Sequence, residues 1–74
     1  MSDEIGNKQV NLSLTVDEVS FIVSGLRDCA DAARMRLNSE DPHKDAQWYI
    51  DNHRMYNENR MLADRLEHEM LEVL

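Results

Sequence analysis

Seventy-four residues make one small domain, and 15 acidic against 8 basic side chains give it a formal net charge of −7. That balance argues against direct binding to a nucleic-acid backbone or an anionic membrane, since both are recognised by clustered Lys and Arg. It is compatible with a basic protein surface as partner. Cys29 is the only cysteine, so no disulfide can close within the chain. A core of this size supplies only roughly 3–5 kcal/mol, which leaves self-association as the expected support. The acidic opening Met1-Ser2-Asp3-Glu4 is unlike a secretion signal, and no apolar run approaches a membrane span. A soluble, cytoplasmic oligomer is the expectation.

Residues 1–8 are polar, contain Gly6 and show no period, and read as a flexible tail. Residues 9–74 read as a single helical-hairpin domain. Val10, Leu12 and Leu14 alternate with polar residues, the period of a strand with one buried face, here 9–14. The period then changes. Thr15-Val16-Asp17-Glu18 has the form of a capping box, with Leu14 and Val19 placed as a hydrophobic staple. A short strand thus feeds a helix over 16–37. Nothing later reads as a second strand, so its backbone groups need a partner, and a second copy of the chain is the simplest one.

In this first helix Val19, Ile22, Val23, Leu26, Ala30, Ala33 and Leu37 recur at spacings of three and four, which makes one apolar face. Beside it runs a stripe of small residues, Gly25, Cys29 and Ala32 or Ala33. A mid-helix glycine costs ~1 kcal/mol relative to alanine, so close packing of another helix or of a bulky ring is expected there. Cys29 reads as a small core residue.

Asn38-Ser39-Glu40-Asp41-Pro42 is the break. Asn38 suits a left-handed cap, Asp41 an N-cap and Pro42 the first helical position, so the second helix is placed over 42–73. The short connection makes the two helices antiparallel neighbours. A heptad reading of the second helix puts Trp48, Met55, Leu62 and Glu69 at one seam position and Asn52, Asn59, Leu66 and Val73 at the other. On the seam, Asn52 and Asn59 would fix register at a cost in stability; at its edge they would simply be solvated.

The expected lengths differ, about 22 against about 32 residues, an overhang of ~15 Å. Val16 then falls opposite Ala63, and Leu66, Met70 and Val73 stand without a neighbouring helix. The strand residues Val10, Leu12 and Leu14, or a second chain, would cover them. These six are the expected dimer interface. The fold expectation is all-α: an antiparallel two-helix hairpin preceded by a short strand, dimerising into a four-helix arrangement.

No constellation carries catalysis. His68-Glu69-Met70-Leu71-Glu72 begins like the zinc-protease helix motif, but the second histidine is absent. His43, His53 and His68 are far apart in the chain, and no glycine-rich phosphate loop exists. We therefore expect a non-enzyme with no catalytic, cofactor or metal residues.

Tyr49 and Tyr56, rimmed by Arg54 and Arg60, are the candidates for a partner-binding surface, with Asp64 and Glu67 at its acidic end. The functional expectation is a small homodimeric protein-interaction module, an adaptor or regulator that binds another protein. The alternative is an acidic inhibitor that blocks the basic surface of a nucleic-acid-binding protein. In size and acidity the chain is similar to small acidic helical accessory proteins of phages, although no motif identifies a family.

Overall fold

Thr15 ends the irregular arm and starts the first helix. Its Oγ1 accepts a hydrogen bond from the Glu18 amide at 3.1 Å, and Glu18 Oε1 accepts one from the Thr15 amide at 2.9 Å. Two of the helix's otherwise unpaired donors are thereby satisfied, as the capping box requires. The computed structural model describes residues 5–39 and 44–74, and it contains two long helices, α1 (Val16–Asn38) and α2 (Ala46–Glu72). They pack side by side as an antiparallel hairpin, so the all-helical architecture read from the sequence is the observed one.

The end of α1 differs in detail from expectation. No described residue other than glycine has a positive φ, so Asn38 makes no left-handed cap. Asn38 is instead the last helical residue, and Ser39 leaves in extended backbone with its Oγ donating to the Arg36 carbonyl at 2.7 Å. Lys44 closes the same terminus by donating from Nζ to the carbonyls of Leu37 and Ser39. A cation at the carbonyl end of a helix opposes its dipole.

The start of α2 is a larger correction. The expected cap at Asp41-Pro42 lies outside the described residues, but Lys44 and Asp45 are not helical and α2 begins at Ala46. Asp45 is the N-cap, its carboxylate accepting from the Trp48 amide at 2.8 Å. The longer connection resets the register. Arg36 Nε donates to Asn52 Oδ1 at 2.8 Å, Arg27 reaches Asp64 and Glu67 at 3.2 and 3.0 Å, and Ser20 Oγ lies 3.5 Å from Met70 Sδ. Val16 therefore stands opposite the end of α2, not opposite Ala63. The helices, of 23 and 27 residues, are nearly matched. The overhang lies at the turn end, where Trp48 and Tyr49 extend past α1, rather than at the open end. Trp48, put at a seam position by the heptad, accordingly lies past the end of α1.

The seam is made of small groups. Val23, Ala30, Ala33 and Ala63 are buried, with Ala33 and Ala63 fully so. Alanine against alanine lets two helix backbones approach closely, but it removes little apolar area from water. Asn52 is the buried polar residue among those described, and it is fully engaged: it accepts from Arg36 and donates to the Trp48 carbonyl at 2.9 Å. Asn59 is half-buried and donates to the Met55 carbonyl. Of the two seam asparagines, only Asn52 links the helices.

Residues 8–15 carry no regular secondary structure, and among the described residues there is no strand. Preceding them, Ile5–Gly6 make a single helical turn, closed by the Lys8 amide on the Ile5 carbonyl. Cα atoms span 46 × 32 × 14 Å, so the protomer is one helix thick. Its radius of gyration is 15.3 Å, against about 11 Å for a compact chain of this length. Its accessible surface is 6354 Å², against about 4,700 Å² for a compact protein of this mass. Stable domains pack at least two layers around a core; this protomer supplies one.

Candidate functional site

A single layer has two flanks, and in this hairpin they differ. One flank is held by charge. Arg27 on α1 bridges Asp64 and Glu67 on α2, Arg34 lies near Asp31, and Arg60 Nη1 donates to the Tyr56 hydroxyl at 2.8 Å with its guanidinium over the ring. Asp64 and Glu67, read from the sequence as partner-binding, are thus tied to their own chain. Their side chains remain 60 and 45 % exposed.

The other flank has no cross-helix ion pair among the described residues. On α1 it carries Ile22, Gly25, Cys29, Ala32 and Arg36, one helical step round from the buried Val23, Ala30 and Ala33. On α2 it carries Met55 and Leu62, which are 40 and 44 % exposed. Arg36 marks the side, since its Nη2 lies 3.1 Å from Met55 Sδ while Nε reaches Asn52. Gly25 and Cys29 were expected against a neighbouring helix or ring of the hairpin. They are not: Cys29 is exposed, and a Cβ built on Gly25 would meet nothing within 4 Å. The heptad offset explains this, because the small stripe lies one position away from the seam.

At the open end this flank runs into a groove of about 500 Å³ between the arm and α2. Val10, Leu12 and Leu14 line one wall, Leu62, Leu66, Met70 and Val73 the other, with Val16 and Val19 at the floor and Arg65 and Glu69 at the rim. All six residues expected at a dimer interface therefore surround one cavity. Their burial is uneven. Leu66 and Met70 are half-buried beside α1, contrary to the expectation that they stand alone, because the register carries α1 to the end of α2. Val10, Leu12 and Val73 are 77, 74 and 73 % exposed.

The turn end holds the aromatic candidates. Trp48 and Tyr49 stack edge to face with centroids 5.1 Å apart, and Lys44 Nζ sits 5.1 and 5.7 Å from the two ring centroids. Tyr49 is exposed, whereas Tyr56 is half-buried and satisfied by Arg60. Arg54 lies on the surface, 3.9 Å from Glu58. Tyr49 and Tyr56 are two turns apart on one side of α2, about 10 Å along its axis, and Arg54 points to a different side. Lys44 was missed in the sequence, where a lone lysine beside a break carries no signal of its own.

Titration is perturbed at one resolved place. The amide and hydroxyl of Thr15 hold the Glu18 carboxyl below its ordinary range. The acidic end of α2 pairs within itself, Arg65 with Glu69 at 3.9 Å and His68 with Glu72 at 3.2 Å. Asp64, one turn before His68, turns instead to Arg27. Among the described residues no three His, Cys, Asp or Glu side chains gather as a metal site, and no helix is long and apolar enough to cross a membrane. No protein-family model, curated protein or solved structure matches this chain.

Proposed function

We propose that this protein is a small, non-catalytic, homodimeric interaction module whose task is to bind another protein. The observation that carries this reading is the uncovered flank with its open groove. A one-layer hairpin leaves Val10, Leu12, Leu14, Leu62 and Val73 in water, and a contiguous apolar surface of that kind is the mark of an interface. In the dimer the arm would take up the strand suggested by its alternation, either pairing across the two-fold or lying over Leu66, Met70 and Val73. Two copies would stack two layers into a four-helix arrangement. The exposed Tyr49, with Arg54, Arg60 and Tyr56 further along α2, is then left outward for a different partner. The compartment that fits an acidic chain with a lone thiol is the cytoplasm.

The test is thermal melting across protein concentration, with sedimentation at micromolar concentration beside it. A dimer melts higher as concentration rises. Changing Leu12 and Leu14 together to Ser lowers the melting temperature and steepens its concentration dependence. A folded monomer at micromolar concentration overturns the reading, and an unchanged melt removes the arm from it.

The acidic-inhibitor alternative has support in the net charge and in the exposed acidic side chains that end α2. The two differ in salt response. A charge-mimic complex weakens steeply between low and high salt, whereas an apolar adaptor complex held through Tyr49 does not.

A further inference from the structure

The dimer proposed above leaves open which surfaces meet, and the bare flank of α1 answers it. We infer that a second copy docks α1 against α1 in antiparallel fashion, about a two-fold axis passing at the level of Arg27.

The argument begins with the order of residues along the flank. Glu18, Ile22, Gly25, Cys29, Ala32 and Arg36 alternate steps of three and four, the spacing of a helix seam. Their spacing is symmetric about Arg27, and their size and charge are complementary across it. Rotation by 180° about that point brings Glu18 level with Arg36 of the second copy, Ile22 level with Ala32, and Gly25 level with Cys29. Each pair sets large against small or acid against base. A two-fold interface requires this, because the same patch must complement itself.

Three further observations fit that occupant. First, the central groups, Gly25 and Cys29, are small and point away from α2, so a helix can approach them closely. Second, Phe21, 82 % exposed, stands beside the stripe, and the rotation brings it level with Ala33 of the second copy. Third, the chain as a whole exposes about 1,600 Å² beyond a compact chain of its mass, of which a stable dimer interface would take about 800 Å² from each partner. The groove at the open end lies on the same flank, so the turn end of the second copy, with its Met55, covers it.

The experiment uses single thiols. Wild-type chain, whose only thiol is Cys29, is mixed with the double variant Gly25→Cys, Cys29→Ser and mildly oxidised. Residues 25 and 29 of different copies stand at one level, so a covalent heterodimer forms. Neither chain cross-links with itself: two copies of Cys29 are offset by about 6 Å along the axis as well as across the seam, beyond disulfide reach. A control chain, Ser24→Cys with Cys29→Ser, places its thiol off the stripe and stays uncoupled. In parallel, Gly25→Leu raises the dimer dissociation constant at least tenfold in sedimentation, while its helix content by circular dichroism is kept, since leucine favours helix over glycine and a Cβ at this position meets nothing within 4 Å.

A wild-type dimer that ignores Gly25→Leu and gives no heterodimer overturns the α1 pairing and leaves the proposed homodimer standing on its arm and groove. A monomeric wild-type chain overturns both and assigns the flank to a different protein.

Discussion

The two flanks of the hairpin solve the same problem in different ways. On one, Arg27 spans from α1 to Asp64 and Glu67, and long charged side chains cover the seam while their heads stay in water. On the other, Ile22, Gly25, Cys29 and Ala32 of α1 share a side of the hairpin with Met55 and Leu62 of α2, and among the described residues no cross-helix ion pair covers them. The first flank is complete in a single copy. The second leaves Met55 and Leu62 40 and 44 % exposed beside the small groups of α1. Charge finishes a surface against water; small apolar groups leave it finished only by another helix.

The seam common to both flanks should be the most sensitive place. Ala63 is fully buried between the helices. Ala63→Leu forces them apart and is expected to cost about 1–3 kcal/mol in urea denaturation. Asn52→Ala comes next. It removes a bond from the buried Asn52 to Arg36, whose guanidinium is exposed and can return to water, for an expected loss of about 1 kcal/mol. A neutral outcome would mean that the link between α1 and α2 through Asn52 contributes nothing.

Thr15→Ala removes the hydroxyl of the capping box and is expected to cost about 1 kcal/mol, read as an equal loss at every protein concentration. That independence separates a local effect from variants of the bare flank, whose losses grow on dilution. Arg27→Ala should cost under about 1 kcal/mol, since its pairs are largely exposed, and its effect should shrink in high salt. A larger loss that also depends on protein concentration would make the charged flank an interface as well.

The smallest expected effect is on pH. Glu18 has a lowered folded-state pKa, so its ionised form stabilises α1. That contribution is full above the ordinary carboxylate range and is lost as pH falls through the lowered value. Acid titration of Glu18→Gln should lack this component of the unfolding curve, while the wild-type chain shows it.

The start of α1 was legible because its signal is local. Thr15 and Glu18 satisfy each other's backbone within one turn, and no distant residue is needed. The seam role of Asn52 was half legible: the heptad placed it, but its twin Asn59 carries the same signal and only the fold separates them. The start of α2 was misread because Asp41-Pro42 and Asp45 offer the same chemistry. The later cap accounts for about one turn of the shift in register, and the first turns of α2, which run past the end of α1, account for about two more. From that slip followed the misplaced overhang, the misplaced Trp48 and the supposed isolation of Leu66 and Met70.

The sequence by itself determined two amphipathic helices, their antiparallel order and the cap that begins the first. Periodicity and capping act over a single turn and leave their mark in adjacent residues. Tertiary structure decided the register, the ends that overhang and the flank on which Gly25 and Cys29 lie. Those depend on which small residues let two backbones approach, and that is a property of paired surfaces, not of either strip of sequence alone.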